Sequence, residues 1–360
     1  MKGRFKKVGN AKMHRKKRKT YTIEIKIIRI PKIFYLFFTL TMLIISFKID
    51  TLTTINIENY IHIALNIDNK YIYPCLVYLT SLLDNRADST FYIFHVLTGN
   101  NIINDTYQKI NLTLETFGKN CTNVSYYNLE EQFKGAPSNQ YISTAAYYRI
   151  SLPSLLPDVD KIIYTDSDII NFKDLSEMHK IELNDSMYFC GTLDYIHHIG
   201  ELKDLGIDID KYMNTGVMLM NLKAMRNNSI EGKIRDFVST HFLNHHEQTA
   251  INAVCYNNIQ ILSYKYACFA FYRYENLTTF NNNQNEKNRY NESELNQCFY
   301  DPTLLHFPGY VKPWDKNCLN WKKVYWWYYA KKSLFYQEIL EHYEFKNEDI
   351  EELLKNLTKT

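Results

Sequence analysis

Two aspartates stand two residues apart at the end of an apolar run, Ile162-Ile163-Tyr164-Thr165-Asp166-Ser167-Asp168-Ile169-Ile170. The run has the length and β-branched content of a buried strand, and residues i and i+2 of an extended chain face the same side. Both carboxylates therefore approach one place. Two anions so close repel unless positive charge lies between them. A divalent ion that prefers hard oxygen ligands, Mg²⁺ or Mn²⁺, is the economical answer. Two other readings stay open on these residues. A turn can carry two solvated aspartates and bind nothing. Asp-x-Asp after an apolar strand is also how aspartate-nucleophile phosphatases present their attacking group, here Asp166. Those enzymes usually carry Thr or Val where this chain has Ile170, and they open the fold with the motif, whereas three strands precede it here.

The elements around the motif alternate. Tyr60–Ile67, Thr90–Leu97, Val124–Leu129 and Lys161–Thr165 read as strands, separated by helices from Pro74 to about Leu83, Asn104 to Phe117 and Ile142 to Leu155. Pro74 suits a first helical turn. Strands alternating with helices at this spacing predict a mainly parallel, buried sheet, whose ligands bind beyond the carboxyl ends of the strands. Chemistry is then expected just after Leu65, Leu97 and Thr165. Further on, Met187–Leu193 and Val217–Leu222 read as strands, and Ser229–Phe242, Glu247–Tyr256 and Trp321–Tyr343 as helices. The Asn-rich stretch Asn276–Asn296 reads as an irregular surface excursion. No fixed-period repeat and no Gly-rich phosphate loop is present.

Composition limits the class. Of 360 residues 46% are hydrophobic and 22% charged, which excludes wholesale disorder, and 11 Gly with 8 Pro exclude collagen-like architecture. The 30 Tyr and 20 Phe accompany an abundance of Asn, Lys and Ile, so aromatic richness by itself signals no sugar binding. The net charge of +3 hides an asymmetry: residues 1–32 carry thirteen Lys/Arg against Glu24 alone, and the remaining chain balances to −9. A basic tail can serve nucleic acid. Here, however, the uncharged run Ile33–Phe47 follows it, between Lys32 and Lys48. At ~1.5 Å per residue it spans roughly 22 Å, short of a ~30 Å hydrocarbon core unless the lysines snorkel or the bilayer is thin. The expectation is a single-pass signal-anchor at 33–48, with a basic cytoplasmic tail at 1–32, a stem at 49–59 and no nucleic-acid partner. A buried helix or signal-peptide core is the alternative, although no small-x-small cleavage site follows Phe47. Nine Asn-x-Ser/Thr sequons, from Asn104 to Asn356, agree with a secretory lumen. The seven cysteines include no CxxC and form neither a zinc site nor a disulfide framework. Cys190 and Cys255 read as buried thiols, and Cys298 and Cys318 bracket a loop that a bridge could span.

Several separated blocks between Tyr60 and Tyr343 resemble glycosyltransferase family 8, which includes bacterial lipopolysaccharide galactosyl- and glucosyltransferases and, more distantly, glycogenin. Ala64-Leu65-Asn66-Ile67-Asp68-Asn69-Lys70-Tyr71 is similar to the family's first strand and its nucleotide-contacting Asp-x-x-Tyr turn. Ser143-Thr144-Ala145-Ala146-Tyr147-Tyr148-Arg149 resembles the helix whose Arg reaches the donor. Asp166-Ser167-Asp168 matches the metal-binding Asp-x-Asp, and Tyr212-Met213-Asn214-Thr215-Gly216-Val217 the block lining the donor sugar. Glu247-Gln248 stands where the family has Asp-Gln. Leu305-His306-Phe307-Pro308-Gly309-Tyr310-Val311-Lys312-Pro313-Trp314 is similar to its closing loop.

The resemblance implies a GT-A α/β fold over residues 60–345, followed by a polar C-terminal tail at 346–360. It implies Asp166, Asp168 and His306 as ligands of Mn²⁺, or of Mg²⁺. Leu65, Asp68, Asn69, Tyr71, Thr144, Arg149, Ser167, Gly309 and Lys312 would contact the nucleotide. Arg149, Asp194, Asn214, Thr215, Glu247 and Gln248 would contact the donor sugar. The implied reaction is retaining transfer of a hexose, glucose or galactose, from a UDP-sugar to a glycan, glycoprotein or glycolipid. Gln248 is an amide and a poor nucleophile, which favours same-face substitution with Gln248 supporting the anomeric cation and Glu247 anchoring hydroxyls. Glu247 for the family's Asp, and Lys70 where many relatives have Asn, are departures that blur the donor's identity. A non-catalytic sugar-nucleotide-binding protein on the same fold is the competing reading. The tryptophans Trp314, Trp321, Trp326 and Trp327 offer either an acceptor-stacking platform or helix core.

Overall fold

The computed structural model describes residue 57 and residues 59–136, 144–194, 199–270 and 290–355. The expected tail and anchor, and nearly all of the stem, lie outside the described residues, as does most of Asn276–Asn296. Among the described residues no helix is long and apolar enough to cross a membrane.

The first strands are β1 (Asn59–Asn66), β2 (Thr90–Thr98), β3 (Thr122–Asn128) and β4 (Ile162–Thr165). All four run parallel, in the order β3-β2-β1-β4. They are mostly β-branched or aromatic at alternating positions, and β1, β2 and β4 are covered on both faces while the edge strand β3 is only partly buried. Ile61, Ile63 and Leu65 join Tyr92, Phe94 and Val96 in one core cluster, while Ala64 and Leu97 face a second. Period-two alternation thus serves two cores, as parallel sheets flanked by helices require. The Ile72–Asp84 helix packs on the first cluster, with ten of its thirteen residues buried. That explains its nearly unbroken apolar sequence.

Beyond β4 the sheet changes direction. Strand β7 (Met213–Met220) pairs antiparallel with both β4 and β6 (Phe189–Leu193), and β8 (Ile259–Ile261) lies parallel to β6. The result is a seven-stranded, mainly parallel sheet. A second, three-stranded sheet follows the aspartate turn, with β5 (Ile169–Asn171), β10 (Leu304–His306) and β9 (Cys268–Phe269) in that order. These strands of two or three residues carry too little pattern to be read from the sequence, because only their pairing partners define them.

Six further expectations change or are resolved. The segment ending at Leu155 is a 3₁₀ helix, Thr144–Ser151, passing into a short α-turn, Leu152–Leu155. The Asn-rich excursion ends in a real helix, Glu292–Tyr300, because Asn291 caps it by accepting from Glu294 N at 3.0 Å. Trp321–Tyr343 is two helices, Lys323–Lys332 and Tyr336–Tyr343. Ser333 leaves the helical conformation between them, and its hydroxyl accepts from Phe335 N at 3.3 Å. The polar tail holds a helix, Asn347–Leu354, that buries Ile350 and joins the body. The bridge joins Cys268 to Cys298, Cα atoms 5.5 Å apart, and Cys318 is a free buried thiol. Trp326 and Trp327 are fully buried and Trp314 nearly so, which makes them core and not a stacking platform.

Candidate active site

Asp166 and Asp168 occupy the turn where the chain leaves the large sheet for the small one. At β4 the antiparallel partner of Thr165 is Val217, so Asp166 N donates to Gly216 O at 2.7 Å. At β5 the antiparallel partner of Ile169 is His306, and Phe307 N donates to Asp168 O at 3.0 Å. Two strand registers therefore bring an aspartate pair, a glycine and a remote histidine to one point. Ligand atoms of Asp166, Asp168 and His306 all lie within 4.8 Å of one another.

Gly216 forms the floor of this point. A Cβ there would sit 2.4 Å from His306 Cε1, 2.9 Å from Asp166 Oδ2 and 3.0 Å from Asn214 Oδ1. The side chains close over a position that only glycine leaves free. Asp168 is buried between Lys312 and His306. Lys312 Nζ donates to its Oδ2 at 2.6 Å and to Phe307 O at 2.8 Å, and His306 Nε2 lies 3.3 Å from its Oδ1. Burial alone would push this carboxyl up, but Lys312 and then His306 override it and hold it well below the usual range. Asp168 Oδ1 has no hydrogen-bond partner although it is buried. Two oxygens and one imidazole within reach of one another, one oxygen without a donor, fit a hard divalent cation.

Arg149 is the second anchor. Its buried guanidinium donates to Ala146 O (2.9 Å), Thr215 O (2.6 Å) and Asp166 Oδ1 (2.9 Å), and lies 3.7 Å from Glu247 Oε1. It also stacks 4.3 Å above the Tyr164 ring. In this arrangement it braces the site's own groups. Glu247 is buried and pushed up by burial, with Arg149 opposing, and its Oε2 has no hydrogen-bond partner.

Gln248 is held in one orientation. Its Oε1 accepts from Thr215 N at 3.1 Å, Thr215 Oγ1 at 3.3 Å and Asn214 Nδ2 at 3.4 Å. Its Nε2 donates to Asp194 Oδ2 at 2.6 Å and Tyr212 OH at 3.2 Å. A backbone donor on one end and a carboxylate on the other leave the amide no freedom to flip. Asn214 also donates to Asp194 Oδ1 at 3.3 Å, which ties Asp194, Asn214, Thr215 and Gln248 into one network.

The remaining expected residues rim this centre. Asp68 caps the 3₁₀ turn Asn69–Tyr71, its Oδ1 accepting from Lys70 N and Tyr71 N. Asn69 is exposed and donates to Asn101 O at 3.3 Å. Tyr71 feels the charges of Lys312, Asp168 and Asp166, and burial pushes its phenol up to about 12. Ser167 Oγ donates to Asn66 O at 3.2 Å, and Thr144 opens the 3₁₀ helix that carries Arg149. Leu65 is fully buried inside β1, so its side chain supports the site from behind. Gly309 turns the closing loop at φ +87°, a conformation that favours glycine, and space around it is open. Tyr164 and Asn252 carry weight that sequence reading missed. Tyr164 OH donates to Asp166 Oδ1 at 2.9 Å and also to Asn66 Oδ1, and Asn252 pairs with both backbone groups of Met213. Each sits in an apolar run where a core role is the natural reading.

The fold is a GT-A-like α/β arrangement, with the acidic turn at the carboxyl end of a parallel strand. Residues 62–318 match the family described as Glycosyl transferase family 8, so the chain belongs to that family and is a glycosyltransferase. General stress protein A of Bacillus subtilis is 26% identical over 268 residues, 72% of this chain and 89% of that protein. A lipopolysaccharide 1,2-glucosyltransferase of Escherichia coli is 24% identical over 277 residues, 74% of this chain and 75% of that protein. The galactosyltransferase LgtC, crystallised with donor and acceptor sugar analogs, superposes with a TM-score of 0.64 at 21% identity. The match covers 76% of this chain and 96% of LgtC.

Proposed function

We propose that this glycosyltransferase moves a hexose, glucose or galactose, from a UDP-sugar to a glycan, glycoprotein or glycolipid acceptor, with retention and with a divalent cation, Mn²⁺ or Mg²⁺. The observation that carries the reading is the convergence of Asp166, Asp168 and His306 above Gly216, beside the fixed Gln248 amide. Asp166, Asp168 and His306 would hold the cation, which supplies Lewis-acid stabilisation of the departing diphosphate. Lys312 adds positive charge beside that position. Asp194, Asn214 and Glu247 offer polar atoms to the sugar hydroxyls, and Arg149 holds Asp166 and Thr215 in place. Gln248 lies alongside with its carbonyl already engaged by three donors, so it acts by dipole and position, not by attack. In same-face substitution the bond from the anomeric carbon to phosphate breaks as the bond to the acceptor oxygen forms. The acceptor proton passes to the departing phosphate.

Family membership removes the phosphatase reading. The non-catalytic reading is disfavoured by the intact Asp166, Asp168, His306, Lys312 and Gln248. The deciding experiment incubates the purified chain with Mn²⁺ and a panel of UDP-sugars and scores UDP release. Release from a UDP-hexose that stops in chelator supports the proposal; full release in chelator contradicts it.

We also propose that residues 33–48 anchor the chain in a bilayer, N-terminus cytoplasmic and catalytic body across the membrane, in a Golgi or ER lumen or, as the alternative reading, at a bacterial membrane or in a chain of viral origin. The charge asymmetry and sequons support this, and exposed Asn104, Asn120, Asn123, Asn184, Asn227 and Asn291 are open to glycosylation. Carbonate extraction tests the anchor, and release of the full chain from membranes by carbonate refutes it.

A further inference from the structure

Strand β7 leaves its regular ladder where it enters the site. On one side it pairs with β4 only from Val217 to Met220. On the other, Gly191 of β6 faces Met218 and Leu193 faces Met213, so Asn214 to Val217 stand against Thr192 alone. Such a bulge leaves backbone groups without strand partners and re-aims the side chains it carries. Gly216 O accepts from Asp166 N, and side chains hold much of the rest. Asn252 Oδ1 accepts from Met213 N at 2.7 Å, and its Nδ2 donates to Met213 O at 2.8 Å. Gln248 Oε1 accepts from Thr215 N at 3.1 Å, Arg149 donates to Thr215 O at 2.6 Å, and Asn214 Oδ1 accepts from Gly216 N at 2.9 Å.

Two of these amides come from one face of one helix, His246–Cys255. Gln248 and Asn252 are separated by about 6 Å along the helix axis, and Met213 and Thr215 by about 6.7 Å along the strand. The near match lets the helix lie against β7 as a further strand would, with a side-chain amide in place of each peptide group. All contacts of Gln248 to the strand run through its one oxygen, so they orient the amide without fixing the height of the helix along β7. The two-point pairing of Asn252 fixes that height. Asn252 is 1% exposed, and its Nδ2 also donates to Gln248 O at 2.9 Å, which closes a path from Met213 to the residue that enters the site. Thr249 Oγ1 and Tyr212 OH, 3.0 Å apart, tie the same helix to the residue before β7.

We propose that Asn252 is a positioning residue for sugar transfer: by pairing with both backbone groups of Met213 it sets the register of the Gln248 amide against the bulged stretch of β7. The inference rests on the reading of Gln248 given above and adds the residue that aims it. Both polar atoms of Asn252 are engaged inside the protein, so it acts through Gln248 and not on the donor. Its loss is therefore felt in turnover and not in nucleotide binding.

A double-mutant cycle on the full chain tests this, with Mn²⁺ and the UDP-hexose that the wild type turns over fastest. Asn252→Leu keeps the volume and removes the pairing. Asn252→Ser leaves room for a water to reach Met213, which spares the fold while losing the direct contact. In either variant kcat for UDP release should fall about 10- to 100-fold, the cost of a shift of about 1 Å, while KM stays within about 3-fold. Calorimetry should find Mn²⁺–UDP binding unchanged, which also shows that the variant is folded. On a Gln248→Ala background the same changes at 252 should cost less than about 3-fold, because the group they misplace is gone. Full additivity in that cycle overturns the inference. So does wild-type kcat in folded Asn252→Ser, whatever its Tm, since Asn252 would then serve stability alone. A wild-type chain that releases UDP from no UDP-hexose sinks the transfer reading itself.

Discussion

Gly216→Ala is the smallest change that tests the geometry of the centre. The added methyl would lie 2.4 Å from His306 Cε1, against a normal carbon–carbon contact of about 3.5 Å. The imidazole must therefore retreat by roughly 1 Å. It has little room, because His306 is buried, β10 is paired with both β5 and β9, and the Phe269 ring stands edge-on at 5.7 Å. Backbone conformation adds no penalty, since Gly216 is not among the positive-φ residues. Overpacking of this kind costs about 1–3 kcal/mol of stability. The functional cost is larger, as metal–ligand distances tolerate only about 0.2 Å and disturbing supporting groups alone lowers affinity 10- to 100-fold. The expected result is a loss of at least about 100-fold in Mn²⁺ affinity measured with UDP present. Gly191→Ala is the control. Its methyl would overlap Met213 Sδ at 2.6 Å, a flexible side chain, so it should lower the Tm and leave Mn²⁺ affinity alone. Wild-type Mn²⁺ affinity in Gly216→Ala would show that His306 and Asp166 do not meet above this residue.

Arg149→Met strips the buried cation from between Asp166 and Glu247 and leaves Thr215 O without its donor. Urea denaturation should show about 3–5 kcal/mol lost, and Arg149→Lys should recover only part because an ammonium lacks the planar fork. Glu247 has a folded-state pKa raised by burial, so the native chain binds more protons than the unfolded one above the ordinary value of about 4.3 and stability falls as pH rises through that window. Glu247→Gln should remove this slope in Tm against pH; an unchanged profile contradicts the assignment. Tyr147 OH is buried without a hydrogen-bond partner, so Tyr147→Phe should hold or slightly raise stability, and a loss above about 1 kcal/mol would reveal a partner.

The strands and helices that build the sheet were legible because burial on two faces leaves a mark in one dimension. β1, β2 and β4 are apolar runs of strand length, and Asp166 and Asp168 stand at the end of one of them. The spacing of the carboxylate pair made a cation one of three readings, beside a solvated turn and a phosphatase nucleophile. His306, Lys312, Arg149 and Gln248 were different. Their types are common, each has an ordinary structural role, and they entered only through resemblance to a family. Their meeting is a matter of register. His306 reaches Asp168 because it pairs with Ile169 in a sheet of very short strands, and Lys312 lies 144 residues along the chain from the carboxylate it holds. No local pattern encodes such pairing. Gly216 shows the limit most directly. The sequence displayed a glycine in a strand, but that a methyl there would strike a histidine and a carboxylate follows only once β4, β7 and β10 are packed. Local chemistry determined which elements form and where acids could gather. Close packing of distant strands decided which groups share that place and which of their atoms stay open to a ligand.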